Sequence, residues 1–390
     1  MLSRPWVVLG AIGGDWSLRM RVLVTDDSAF MRKMLSLIIG SERGFTVVDV
    51  ARNGQEALEK IEKLKPDIMT LDIEMPIMDG LTTLEKLKAM PPGTHKPMVL
   101  VCSTLTVAGS EAALRALRLG AADFITKDPM AVGAGDEEIK KELIGKLRGI
   151  THGRAAAAVA MKRATMANSG TAGAVGAGGN VPTSIDLSGR PIDLVVIGSS
   201  TGGPPVLEEI ITQLPADFAP PVVIAQHMPL LFTQSLANRL HDMSDMKVVH
   251  GAHGMTIEKG TVTLLPGGVH SRLRRTGGRI IMECSAEPKT ELYKPSANEL
   301  FGSAAVAVGG RGLGIMLTGM GDDGERGAKA LHATGSPILT QSAATCAVYG
   351  MPRAVVDAGA SSAAMDPTAI GQALVRWAAS VRAGTTRLAG

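Results

Sequence analysis

The residues of this chain that could do chemistry fall into two groups. In the first, Asp26 and Asp27 end one β-like run, Asp72 ends another, Ser103 and Thr104 follow a third, and Lys127 follows a fourth. Each Asp alone reads as a solvated loop residue or a helix N-cap. Together at one crevice, three carboxylates repel one another unless a cation lies among them. Mg²⁺ fits such a set, because it prefers oxygen ligands and keeps waters that a phosphate can replace. Asp72 could then attack a phosphoryl donor as a carboxylate nucleophile and form an acyl phosphate. Lys127 would be the charge partner of the phosphoryl oxygens, and Ser103 or Thr104 a hydrogen-bond donor to them.

The second group begins at Gly198-Ser199-Ser200-Thr201-Gly202-Gly203, between a β-like run and a helical one. A glycine-rich turn there could cradle a phosphate, but the spacing is not Gly-x-Gly-x-x-Gly. A dinucleotide site also needs an acid at the end of the next strand, where this chain has Gln226-His227. Gly198, Ser200 and Gly202 instead fit Gly-x-Ser-x-Gly, a sharp turn that presents a serine hydroxyl above a sheet. A serine needs a base to take its proton, and His227, at the end of the neighbouring run, stands where a base would. The imidazole in turn needs an acid. Asp322 and Asp323, in Thr318-Gly319-Met320-Gly321-Asp322-Asp323-Gly324, are both candidates by spacing. Either can cap the helix that follows, and one is expected to. Backbone amides after Gly319 could stabilise an oxyanion.

Two parallel α/β units are needed to position these groups. Arg21–Thr25, Thr46–Val50, Asp67–Leu71, Met98–Cys102 and Asp123–Thr126 read as strands separated by helical stretches, a (βα)5 pattern with its carboxyl ends at one crevice. Beyond Pro191, Ile192–Ile197, Pro221–Ala225 and Leu313–Leu317 read as buried strands of a second, doubly wound and mainly parallel sheet. Runs between Lys247 and Glu283 read as antiparallel hairpins on one edge of it. The expected organisation is an extension at 1–19, a receiver unit at 20–148, an Ala/Gly-rich semi-flexible linker at 149–189 and a catalytic unit at 190–390.

A length of 390 residues suits two cores. A formal charge of +3 and 3% aromatics argue against nucleic acid as a partner. Cys102, Cys284 and Cys346 lack metal-ligand spacing and read as small buried hydrophobes, which suits a reducing cytoplasm. No apolar run reaches the roughly 18 residues of a membrane span, so no membrane insertion is expected. His253 reads as structural.

The first unit resembles the response-regulator receiver family through Val24-Thr25-Asp26-Asp27-Ser28, Leu71-Asp72-Ile73-Glu74-Met75-Pro76-Ile77-Met78-Asp79-Gly80 and Phe124-Ile125-Thr126-Lys127. That resemblance implies phosphorylation of Asp72 by a partner histidine kinase, and a shift at Ser103 that reshapes the fourth and fifth units. Asp128 intervenes before Pro129, where receivers usually have Pro directly after the lysine. The second unit resembles the catalytic domain of chemotaxis protein-glutamate methylesterases through Ile197–Gly203, Ala225-Gln226-His227-Met228-Pro229, Leu265-Pro266-Gly267-Gly268-Val269-His270, Leu317–Gly324 and Tyr349-Gly350-Met351-Pro352. This implies Ser200 as nucleophile, His227 as base, Asp323 as orienting acid, the Met320 N–H as oxyanion donor and Thr201 as a supporting residue. His270, inside one of these motifs, is a candidate for the cleft wall. The implied substrates are methyl esters and glutamines on chemoreceptor helices, with no cofactor in the catalytic unit. Asn298 and Ala343 stand where many relatives carry acids. The rival readings are a non-catalytic interaction module and a nucleotide-binding oxidoreductase.

Overall fold

The computed structural model describes residues 19–104, 106–127, 140–151 and 181–388. Asp128, most of the expected extension and most of the expected linker lie outside the described residues. In the first unit, β1 (Met20–Thr25), β2 (Phe45–Ala51), β3 (Ile68–Asp72), β4 (Met98–Thr104) and β5 (Asp123–Lys127) pair in parallel in the order β2-β1-β3-β4-β5. Five helices accompany them: α1 (Ala29–Ser41), α2 (Gly54–Leu64), α3 (Gly80–Ala89), α4 (Val107–Arg118) and α5, described over residues 140–151. The strand order reverses between β1 and β3, so Asp26, Asp27 and Asp72 flank the switch point where open parallel sheets bind ligands.

The second unit is built on seven parallel strands in the order β14-β13-β12-β6-β7-β9-β8. These are β6 (Leu194–Ser199), β7 (Val222–Gln226), β8 (Lys247–His250), β9 (Thr261–Leu264), β12 (Gly312–Met316), β13 (Ile338–Gln341) and β14 (Ala363–Met365). Strands β10 (His270–Thr276) and β11 (Arg279–Ser285) form the expected antiparallel hairpin, as a two-stranded sheet of their own. The helices are α6 (Gly203–Ile211), α7 (Leu230–Met243), α8 (Ala297–Val308), α9 (Glu325–Ala333), α10 (Met351–Asp357) and α11 (Pro367–Leu388). Here the stretch Lys247–Leu264 differs from the sequence-based expectation, because β8 and β9 are parallel members of the main sheet. Alternation with glycines at 251, 254 and 260 reads as hairpin turns, yet the connection carries the chain back to the start of the next strand without reversing it. Strand β13 and the edge strand β14 were not anticipated.

The ends of the expected linker are ordered. Helix α5 continues to residue 151, Leu187 is buried, and Pro182 O accepts the Ala364 amide at 2.8 Å.

Apolar packing runs without a break from one unit into the other. Leu114, Leu117 and Phe124 of the first belong to the same buried cluster as Phe232, Leu236 and Leu207 of the second. The rings of Phe124 and Phe232 stack, with centroids 4.4 Å apart and planes 5° from parallel. Burial of two such rings, plus a stacking contribution of about 0.5–1.5 kcal/mol, makes this a substantial docking contact.

Candidate active site and phosphoryl-acceptor pocket

Strand β6 ends at Ser199, whose buried hydroxyl donates to Gln226 Oε1 at 2.6 Å while Gln226 Nε2 donates to Ser200 O at 2.9 Å. This cross-link between the ends of β6 and β7 makes Ser199 structural and leaves Ser200 as the half-buried, presented serine. The turn then needs φ +75° at Gly202 to enter α6, a backbone conformation that glycine adopts freely. Gly319 also has to be glycine, since a Cβ there would lie 2.9 Å from the Ser200 Cβ and 2.3 Å from Met351 Sδ. The β12 loop can therefore lie directly against the nucleophile position.

His227 follows β7, and its amide donates to Ser199 O at 3.0 Å, which seats it beside the elbow. The ring turns Nε2 toward Asp323 Oδ2 at 2.7 Å. Its Nδ1 is buried with no hydrogen-bond partner among the described residues. A buried polar atom without a partner carries a desolvation cost, so a poised site with one open position accounts for it. Ser200, His227 and Asp323 thus come from the ends of β6, β7 and β12, on both sides of the β6/β12 switch point.

Asp323 is buried and Asp322 exposed, which separates the two candidates. Neither side chain caps α9, whose N-cap is Gly324 without a side-chain bond. That corrects the expectation that one of them would. Asp323 instead binds the start of α8: Oδ1 accepts from Ser296 Oγ at 2.8 Å and the Asn298 amide at 3.0 Å, and Oδ2 from the Ala297 amide at 2.7 Å. Burial pushes its pKa up, but His227 and the two helix amides outweigh that and hold the carboxyl below its ordinary range. The helix terminus thereby keeps the acid ionised.

The Met320 and Thr201 amides make no hydrogen bond among the described residues, so both are free to receive a developing negative charge. The Thr201 side chain, expected to support the nucleophile, faces the other unit. Its Oγ1 donates to Asp123 Oδ2 at 2.5 Å, and Lys146 Nζ lies 3.2 Å from Asp123 Oδ1. Met320 is covered as well: a Cβ on Gly149 of α5 would lie 2.7 Å from Met320 Sδ, and one on Gly145 3.4 Å from its Cε. Ser110 Oγ of α4 and Ser235 Oγ of α7 are 2.6 Å apart. The β5, α4 and α5 faces of the first unit therefore lie over this site.

Sequence reasoning missed Tyr293, whose ring lies flat on His227 with centroids 4.3 Å apart and planes 8° from parallel. One signal was available, since the chain has only 2 tyrosines. Asp123 was missed because it reads as the first residue of a strand. His270 is fully buried with Nε2 3.0 Å from Pro288 O, and burial lowers its pKa; it is a structural residue of the hairpin. His253 accepts the Cys284 amide at 3.0 Å, also a structural role. Cys102 and Cys346 are buried, and Cys284 is only half-buried. Burial pushes the Cys102 thiol up to about 12, so it is unreactive.

In the first unit, ligand oxygens of Asp26, Asp27 and Asp72 lie within 4.8 Å of one another. Lys127 Nζ is 2.7 Å from Asp26 Oδ2 and 2.6 Å from Asp72 Oδ2. Asp26 Oδ2 is buried, and this ammonium is its one partner among the described residues. Burial of Asp72, only partly offset by Lys127, pushes its pKa up to about 6. An all-oxygen donor set with a buried, under-partnered carboxylate fits Mg²⁺. Ser103 is turned away from this pocket and donates to Gly109 O in the first turn of α4 at 2.8 Å. Thr104 Oγ1 lies 3.3 Å from Thr106 Oγ1, the α4 N-cap.

A family model described as CheB methylesterase matches residues 195–374, and one described as response regulator receiver domain matches residues 22–132. The protein-glutamate methylesterase/protein-glutamine glutaminase 1 of Oleidesulfovibrio alaskensis is 45% identical over 368 residues, covering 91% of this chain and 98% of that protein. The protein-glutamate methylesterase/protein-glutamine glutaminase 2 of Caulobacter vibrioides is 40% identical over 365 residues, covering 93% of this chain and 100% of its own length. With relatives of this kind matched along both of its units, the chain belongs to the protein-glutamate methylesterase/protein-glutamine glutaminase family, in which a response-regulator receiver precedes a CheB methylesterase domain.

Proposed function

We propose that Ser200, His227 and Asp323 form the triad with which this chain hydrolyses glutamyl methyl esters on chemoreceptor helices. Ser200 Oγ attacks the ester carbonyl as His227 Nδ1 takes its proton, and Asp323 stabilises the imidazolium through Nε2. The oxyanion rests on the Met320 and Thr201 amides. His227 returns its proton to the leaving methoxide, and methanol departs. Water then gives a proton to His227 and attacks the acyl-enzyme, and His227 returns that proton to Ser200 Oγ as the acyl–oxygen bond breaks, leaving glutamate on the receptor. A glutamine side chain passes through the same kind of intermediate and releases ammonia. The buried, unpartnered Nδ1 of His227, with Asp323 on the far nitrogen and the His227 amide bound to the carbonyl of Ser199, the residue before Ser200, is the observation that carries this reading.

Control is exerted by the receiver, residues 20–148, on the catalytic unit, residues 190–390. Asp26, Asp27 and Asp72 would hold Mg²⁺, which supplies positive charge for transfer of a phosphoryl group from a histidine kinase to Asp72. Lys127 faces the transferred group. Ser103 leaves Gly109 O to donate to a phosphoryl oxygen, and α4, which carries Gly109 and Ser110, shifts against α7. Only a phosphoryl group that favours the undocked state can open the site, so activation is finite. Receptor helices that lie inside the cell place the enzyme in the cytoplasm.

Methanol release from methylated receptor membranes tests this directly. Ser200→Ala is expected to abolish release and to abolish covalent labelling by a serine-directed phosphonate. Release retained by a folded Ser200→Ala variant would overturn the triad.

A further inference from the structure

We infer that Tyr293 is a positioning residue for the reaction, holding the His227 imidazole in the plane in which one nitrogen meets Asp323 and the other meets Ser200. The inference rests on the triad proposed above. A hydrogen bond to Asp323 fixes one atom of His227 but leaves the ring free to swing about that contact. A flat aromatic face 4.3 Å away, 8° from parallel, removes that freedom. The same face favours the positive charge that the imidazole acquires when it takes the serine proton.

Tyr293 is itself held firmly, by the segment that holds the acid. Three residues later Ser296 caps α8, and Ser296, Ala297 and Asn298 all donate to Asp323. Just before it, Glu291 pairs with Arg326 at 2.7 Å and accepts from Asn298 Nδ2 at 3.3 Å. Residues 291–298 therefore place both the acid and the ring that orients the base. In a chain with 2 tyrosines and 3% aromatics, a ring stacked on the base is not a by-product of an aromatic-rich core. The Tyr293 hydroxyl makes no hydrogen bond among the described residues, so the ring, rather than the hydroxyl, is the working part. Asp323 pairs with His227 and is also the foremost charge acting on Tyr293, followed by Lys146, Asp322 and Glu142. Because Lys146 and Glu142 belong to the receiver, the test is made in both the docked and the activated state.

The experiment compares full-length wild type, Tyr293→Phe and Tyr293→Leu, with and without a small-molecule phosphodonor plus Mg²⁺. It measures kcat and KM for methanol release and the rate of phosphonate labelling of Ser200. Tyr293→Phe is expected to stay within about twofold of wild type, and Tyr293→Leu to lose about tenfold in kcat and in labelling rate with little change in KM, the upper end of what an aromatic pair contributes. A wild-type kcat in Tyr293→Leu, equal losses in both variants, or a change in KM alone would each overturn the inference. If the Leu variant does not fold, the wild type still decides: His227 ring protons without an upfield ring-current shift in NMR would also overturn it. Ser200→Ala in parallel separates the readings. An active Ser200→Ala breaks the triad, whereas an inactive one beside a fully active Tyr293→Leu removes only the role of Tyr293.

Discussion

Asp323 and Asp72 are both buried carboxylates, and their surroundings drive them in opposite directions. Asp323 accepts two helix amides, a serine hydroxyl and an imidazole, so it stays ionised and can orient His227. Asp72 shares one lysine with Asp26 and has too little compensation, so burial raises it to about 6 from 3.8. A carboxyl raised on folding binds its proton more tightly in the folded chain, so its effect on stability turns unfavourable as pH rises from 3.8 through about 6 and is fully unfavourable above that. Mg²⁺ held by Asp26, Asp27 and Asp72 would relieve this where Asp72 is ionised. The gain in Tm from saturating Mg²⁺ should therefore be full above about pH 6 and fade below it. Thermal melts across pH check this, and a gain that ignores pH or survives in Asp72→Asn would contradict it.

At the scale of elements, α5 meets the catalytic loop through a notch. Gly145 and Gly149, one turn apart, leave room for the side chain of Met320, whose amide is the proposed oxyanion donor. A single Cβ could be accommodated by a small movement of the flexible Met320, but a leucine could not. Gly149→Leu should raise the basal esterase rate several-fold without phosphodonor. It should also keep or raise the stability of the receiver, since glycine inside a helix costs about 1 kcal/mol relative to good helix formers. Methanol release and receiver melting temperature are the two measurements, and an unchanged basal rate in a folded variant would show that this notch does not restrain the site.

For the whole molecule, the docked arrangement combines strong apolar contact with electrostatic tension. Phe124 and Phe232 stack, whereas Arg118 of α4 has its pKa lowered by burial and then by Arg239 of α7. Arg239 is also ion-paired with Glu208, which acts on Arg118 in the opposite sense, so the like charges offset only part of the apolar docking. Phosphodonor plus Mg²⁺ should therefore raise amide hydrogen exchange in α4 and α7 together, and deletion of residues 20–148 should raise the basal rate. Unchanged exchange in α7, or a basal rate that falls on deletion, would remove the receiver as an inhibitory cover.

The motifs were legible because each sits where strand, turn and helix succeed one another in sequence: Asp26-Asp27 after β1, Asp72 at the end of β3, the Gly-Ser-Ser elbow across the end of β6 and His227 after β7. Periodicity and turn chemistry are local, so both parallel units and a candidate nucleophile could be read from them. Residues that meet only in space could not. Asp322 and Asp323 are equivalent by spacing, and burial against the amides of α8 separates them. Alternation does not reveal strand direction, which is why β8 and β9 read as a hairpin and fold as a parallel edge. By itself, the sequence determined the two units and the chemistry each carries. Only the tertiary structure decided that Thr201 bonds Asp123 of the receiver, that Tyr293 faces His227 and that α5 covers Met320, because each pairs side chains far apart along the chain.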